Sequence, residues 1–283
     1  MTKTTLIGAG SDLGVHINGA NLGPKVILNK INKKSILIEQ DKNIVKSLDK
    51  NDLKKNIASL NKLNEKLYSI IKNENSFCIT IGGDHSVAIA SGLASLKKHD
   101  NLGLIWIDSH LDYNTFKTTI TGNLHGMPLA SLNGLNEDLS KFHNSKYYDP
   151  KKTVVIGYRA FEENAKAEIN NIKTMGVTVY TTNDIKEYGV TKILEQAIKI
   201  ASNNTSGIHI SFDLDVIDPK IARGVSVTEI DGINLEETNE VIKILQNKKD
   251  LIKSFDLVEY NPLNDQDNQT LNIALDIINK MIK

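Results

Sequence analysis

Along the chain, short apolar runs alternate with longer stretches in which apolar residues return every three or four positions. Runs at 4–7, 35–38, 78–81, 104–107, 153–156, 177–180, 208–212 and 252–258 have the length and branched composition of buried strands. Helical periodicity predicts helices from Pro24, where a proline suits a first turn, and over 87–99, 162–174, 184–202, 235–245 and 269–282. A further amphipathic helix is predicted over 41–75, broken near Asn51, with its lysines facing solvent. Strand and helix in strict alternation, with no linker rich in Pro, Gly or Ser, predict an α/β fold. The expected architecture is a single three-layer αβα domain over residues 1–283, with a mostly parallel sheet of about eight strands.

Charge changes that picture little. Lys plus Arg and Asp plus Glu both total 34 in 283 residues, so there is no electrostatic case for nucleic acid or an anionic membrane. A small molecule becomes the expected partner. The single cysteine, Cys78, excludes an internal disulfide and sits in an apolar run as a buried thiol. No stretch approaches the roughly 18 apolar residues of a membrane span, and a soluble, cytoplasmic protein is expected.

Chemistry gathers where the strands should end. The run LIWI turns polar at Asp108, and Asp108, His110 and Asp112 at i, i+2 and i+4 share one side if the backbone stays extended. An aspartate after a strand is ordinarily a helix cap. Several acids converging on one side, however, repel unless a cation or protons neutralise them. A matching pair, Asp213 and Asp215, ends the run at 208–212, and GGDHS after 78–81 adds His85. Parallel sheets bind ligands at these carboxyl ends. Four carboxylates and two imidazoles without a thiolate exceed the needs of one tetrahedral zinc, and suit two divalent cations, Mn2+ fitting mixed O/N ligation best. A helix-loop-helix calcium site is excluded, because neither acidic segment has the required glycine and glutamate spacing.

In this order and spacing, GGDHS, DSHLDYNT, GNLHGMP, SFDLDVIDP and LVEYNP resemble the ureohydrolase family, GNLHGMP in particular being similar to the arginases. The resemblance runs from Gly8 nearly to the C-terminus. It implies a dinuclear manganese centre, with His85, Asp108, Asp112 and Asp213 on one ion and Asp108, His110, Asp213 and Asp215 on the other. It further implies a metal-bridging hydroxide that attacks a guanidinium carbon, giving L-ornithine and urea from L-arginine. Asp112 would pass on the water's proton, His125 would shuttle protons to solvent, and Glu259 would orient the guanidinium. Asn114, Thr121 and Asn123 would hold the α-carboxylate, with Glu162 at the place of the acid that meets the α-ammonium. Asp218 and Asp256 are expected to be capping or supporting groups, and Asp84 one or the other of these.

The pattern departs from the family in three places. Thr121 stands for a usual serine, Ala165 for an acidic residue, and Val225 for a threonine. These touch substrate contacts and leave the six ligand positions filled. Rival expectations are another ureohydrolase, acting on agmatine, guanidinobutyrate or formimidoylglutamate, a catalytically silent metal-binding homologue, or a single-zinc deacetylase. A homotrimer or homohexamer is implied by the resemblance.

Overall fold

The computed structural model describes residues 3–49, 52–144, 146–160 and 165–282. Eight strands form one sheet: β1 (Thr4–Gly10), β2 (Ser35–Glu39), β3 (Phe77–Gly82), β4 (Leu102–Ile107), β5 (Thr153–Tyr158), β6 (Thr178–Thr181), β7 (Gly207–Asp213) and β8 (Ile252–Val258). Their order is β2-β1-β3-β8-β7-β4-β5-β6, and each of these pairings is parallel. The all-parallel arrangement follows from the strands themselves. β3, β4, β5 and β7 are buried along their whole length, as strands covered on both faces must be.

Two apolar cores lie on the two faces of the sheet. The first packs α1 (Gly23–Lys30), α6 (Thr182–Tyr188), α7 (Val190–Ala201), α8 (Leu235–Asn247) and α9 (Gln269–Ile282) against Ile105, Ile107, Ile208, Ile210 and Phe212. The second packs α2 (Ile57–Asn73), α3 (Ala88–His99), α4 (Pro128–Leu132) and α5 (Lys166–Met175) against the alternate positions, including Leu104 and Trp106. The two-residue period of the strands thus divides the apolar residues between two layers of helices. Cys78 is buried in the second core, and burial pushes its thiol up to about 11.

Two expected helices are cut differently. Residues 41–49 carry no helix, and α2 is preceded only by a single turn at Leu53–Asn56. The reason lies in side chains that take over backbone pairing: Ser47 N–H donates to Asn56 Oδ1, and Lys46 buries its stem to reach the Ile17 carbonyl and Asp12. The segment becomes a strap over the loop that follows β1. The expected break at Asn51 lies outside the described residues. The helix expected over 184–202 is two, α6 and α7, divided by Gly189 in the left-handed region at φ +83°. α6 and α8 each open on a capping box, Thr181 with Asp184 and Asn234 with Glu237. No helix is long and apolar enough to cross a membrane among the described residues.

Candidate metal centre

The four central strands, β3, β8, β7 and β4, bring their carboxyl ends to one place. His85 follows β3, Asp108 to Asp112 follow β4, Asp213 ends β7 with Asp215 two residues on, and Glu259 follows β8. Gly83 permits this convergence: a Cβ there would land on the Ser11 carbonyl oxygen, while its own carbonyl accepts the Glu259 N–H at 2.8 Å.

His85 is the focus of the first group of donors. Its Nδ1 lies 3.0 Å from Asp108 Oδ2, 3.2 Å from Asp112 Oδ2 and 3.0 Å from Asp213 Oδ2, all buried. Its Nε2 is 2.9 Å from Ser211 Oγ, and the tautomer that donates there leaves the Nδ1 lone pair facing three carboxylates. Nδ1 has no hydrogen-bond partner among the described residues. Acceptor facing acceptors in a buried site is repulsive unless a cation or a proton stands between them, so this donor set fits a divalent ion.

The second group is Asp108, His110 and Asp215. His110 Nδ1 is 2.9 Å from Asp215 Oδ2 and 3.5 Å from Asp108 Oδ1. Asp108 therefore offers Oδ2 to the first group and Oδ1 to the second. Asp213 faces His85, and its Oδ1 accepts the Asp215 N–H at 2.8 Å. Asp108 is the carboxylate common to both compact groups, whereas Asp213 belongs to the first alone.

The convergence of Asp112 has a different origin from the extended backbone expected for it. β4 ends at Ile107, and Asp112 sits at φ +50°, where the chain turns its carboxylate back toward His85. Glu259 is also in the left-handed region, at φ +69°. Each such residue costs on the order of 1–3 kcal/mol, and both stand at the centre.

Protonation follows from the crowding. Burial alone would depress the His85 imidazole, but Asp108, Asp112 and Asp213 outweigh it and hold its pKa well above the ordinary range. His110 is raised against burial in the same way by Asp215 and Asp108. Burial, then the Asp108 charge, push Asp112 up to about 6, and burial with Asp215 and Asp108 raises Asp213 well above the usual carboxylate range. Asp108 goes the other way: His110 and His85 overcome its burial and hold it far below that range. Protons thus occupy, in the metal-free protein, the positions that cations would take.

Above the centre a pocket of about 110 Å3 opens, with His110, Asp112, Asp213 and Asp215 in its floor. Asn114, Thr121 and Asn123 stand in its wall together with His125. Asn123 Oδ1 lies 3.2 Å from His16 Nδ1, and Asn114 Oδ1 accepts from Thr118 Oγ1 at 3.0 Å. Glu259 is not in the wall. It lies behind His125, whose Nδ1 is 2.9 Å from Glu259 Oε1, and the same oxygen accepts the His85 N–H at 2.7 Å. Glu259 Oε2 is buried without a partner among the described residues. Against its burial, Glu259 raises the His125 pKa. Glu162 lies outside the described residues.

Three acids turn out to be braces. Asp84 accepts from Gly14 N–H at 2.9 Å and from the Ser86 N–H and hydroxyl, tying the loop after β1 to the turn before α3. Asp218 caps a turn by accepting from Lys220 and Gly232 N–H, and Asp256 pairs with Ser91 and His209 inside the sheet. Ala165 lines the pocket at the start of α5, whereas Val225 is buried and bridges to Tyr260 outside it. Trp106 and Ser211 are supporting residues that the sequence reading passed over. Trp106 Nε1–H donates to Asp108 Oδ2 at 2.9 Å while its ring stacks on His85 at 3.9 Å. Each precedes an aspartate by two, so the strand period was the signal that they share its face.

The chain matches the arginase family model over residues 2–283. It is 35% identical to the arginase of Bacillus subtilis, covering 100% of this chain and 98% of that one. The crystal structure of Bacillus subtilis arginase superposes with a TM-score of 0.86 at 32% identity, covering 99% of this chain and 98% of that one. That of Entamoeba histolytica arginase in complex with L-ornithine gives 0.86 at 26% identity, with the same coverage. With a family model that spans nearly its whole length and relatives this close, the chain belongs to the arginase family of ureohydrolases.

Proposed function

We propose that this protein is a manganese-dependent arginase that hydrolyses L-arginine to L-ornithine and urea. The observation that carries this reading is the pair of donor groups sharing Asp108 directly beneath a pocket walled by amide and hydroxyl side chains. His85, Asp108, Asp112 and Asp213 would hold one divalent ion and Asp108, His110 and Asp215 the other, with Asp213, adjacent to both, as a further candidate ligand of the second. When bound, such a pair supplies the Lewis acidity that makes hydroxide available near neutral pH.

The chain's own residues supply orientation and proton transfer. Glu259, buried behind His125 with Oε2 unpartnered among the described residues, would accept a guanidinium N–H from a substrate that reaches past His125, a charge-assisted bond that also offsets the repulsion between this cation and the floor. With His125 Nδ1 donating to Glu259 Oε1, its other ring nitrogen is the one left to exchange a proton with the pocket. Asp112, in the floor, accepts the proton of the attacking water. Asn114, Thr121 and Asn123 donate to the α-carboxylate of the substrate, which agmatine lacks.

Urea release from arginine and from agmatine, with Mn2+ present, tests this reading. Preference for arginine is expected. Equal or greater turnover of agmatine would assign the chain to another ureohydrolase activity, and bound metal without hydrolysis of any guanidino compound would make it a silent homologue. The trimeric or hexameric assembly that we also propose is checked by light scattering, where a monomeric mass refutes it.

A further inference from the structure

A buried guanidinium stands behind the second group of donors, and among the described residues none of its hydrogen-bond partners is a carboxylate. Arg159 follows the last residue of β5. Its Nε donates to the Ile230 carbonyl at 2.9 Å, Nη1 to that of Val216 at 3.0 Å, and Nη2 to those of Asp215 at 2.7 Å and Glu229 at 2.9 Å. Burying a charge without a counter-charge is unfavourable unless its donors are all used. A planar fork of five N–H groups is the side chain that can serve several main-chain segments at once.

The segments it joins all lie on the side of the second group. Asp215 and Val216 form the turn after β7, and Asp215 Oδ2 faces His110 Nδ1 at 2.9 Å. Glu229 and Ile230 belong to the loop that brings Val227 into the pocket lining, and Glu229 Oε1 lies 3.9 Å from His110 Nε2. The main-chain N–H of Arg159 donates to the Ser109 carbonyl at 3.0 Å, and the Ser109 hydroxyl donates to Asp215 Oδ1 at 2.8 Å. None of the guanidinium bonds reaches His85, Asp112 or Asp213. A buried arginine can be a staple of loops and nothing more. A staple of that kind would not favour one ion over the other, whereas this clamp is one-sided.

We propose that Arg159 is the positioning residue of the second ion, its guanidinium setting the place of Asp215 and of the loop at 227–230, so that the second ion depends on it and the first does not. This rests on the reading of the centre as a site for two divalent ions. Arg159 acts through the main chain of a ligand and touches neither ion nor substrate. Without the fork, the turn after β7 loses the bonds that aim the Asp215 carboxylate at His110. The first group keeps its place, because Asp213 is held by the pairing of β7 with β8 and His85 by Ser211.

Arg159→Lys keeps the charge and loses the fork. Metal-free wild-type and variant proteins are titrated with Mn2+, the free ion is read by electron paramagnetic resonance, and folding is followed by chemical denaturation of the same samples. The first ion is expected to bind as in the wild type and the second about 10- to 100-fold more weakly. Urea release by the variant is expected to fall at low Mn2+ and to recover as Mn2+ is raised by that factor. Gly232→Ala disturbs the same clamp with the arginine in place, since a Cβ there would crowd Arg159 Nη2 and the Asp218 N–H, and is expected to weaken the second ion alone. Equal weakening of both ions, unchanged binding of both, or a loss of urea release that no concentration of Mn2+ restores would overturn the proposal. So would a lysine variant that fails to fold beside a Gly232→Ala protein that binds both ions as the wild type does. Wild-type protein that takes up a single ion refutes instead the two-ion reading on which this rests.

Discussion

Beneath the pocket, three of the candidate ligands are held by a partner in the sheet or at its edge: Asp108 by the Trp106 indole, His85 by Ser211, and Asp215 by the Ser109 hydroxyl at 2.8 Å. On the rim, the polar groups lie in one irregular stretch and bond largely to loop residues. Asn114 is bonded by Thr118, and Asn123 N–H donates to Thr121 Oγ1 at 3.2 Å. The aspartates of the floor are buried, and Asp108 and Asp213 are placed by strand register, whereas Asn114 and Thr121 are half-exposed and lie in a loop. Substitutions in the floor therefore act on the chemistry of every substrate, and substitutions on the rim act on the choice among substrates. The family differences at Thr121 and Ala165 both fall on the rim.

The largest expected effect comes from Asp108→Ala, which takes a ligand from both donor groups. Loss of a partner that merely supports a ligand costs about 10- to 100-fold in affinity or activity, so loss of the shared ligand should exceed that range. Urea assay together with elemental analysis checks it, and a variant that keeps two ions would break the contrast between floor and rim. The indole N–H left unpaired should also destabilise the fold by about 1–3 kcal/mol, read from chemical denaturation.

His125→Asn should lower kcat by about 10²- to 10⁴-fold while metal content stays unchanged, since His125 touches the pocket and not the ligands. A loss of metal in this variant would move His125 into the floor. Smaller still, Asn123→Ala should raise the KM for arginine by about tenfold and leave agmatine unaffected.

A pH series sharpens the same division. The protons held by His85 and His110 stabilise the metal-free protein below about pH 6.5, the ordinary histidine value, and this contribution is lost as pH climbs through their raised pKa values. The contribution of Asp112 is present below its ordinary value and is lost by about 6. Asp108 acts in the opposite sense, but only in strong acid. The melting temperature of metal-free protein should therefore fall from pH 5 to pH 8, while that of loaded protein changes less. Metal binding should release protons and tighten as pH rises, which calorimetry in buffers of different ionisation enthalpy reads directly.

The parts that follow from strand period were legible in the sequence. Asp108 and Asp213 sit where apolar runs end, and the sheet of eight parallel strands follows from the alternation itself. What depended on backbone turning locally was not. Asp112 reaches His85 through a positive φ that no periodicity encodes, and Gly189 divides a continuous helical pattern. The strap at 41–49 looked helical because its apolar spacing is helical, yet side chains of Asn56, Asp12 and Lys46 claimed the bonds. Arg159 was invisible for a related reason. Its clamp depends on how the turn after β7 and the loop at 229–230 come against it, contacts 56 to 71 positions away in the chain.

The central claim is that the floor holds two divalent ions through one shared carboxylate. Electron paramagnetic resonance of the manganese-loaded protein, with the metal content measured on the same sample, tests it most directly. The account predicts two ions per chain with an exchange-coupled spectrum in the wild type, and loss of that coupling in Asp108→Ala. One ion per chain, or two with the spectrum of isolated manganese, would contradict it.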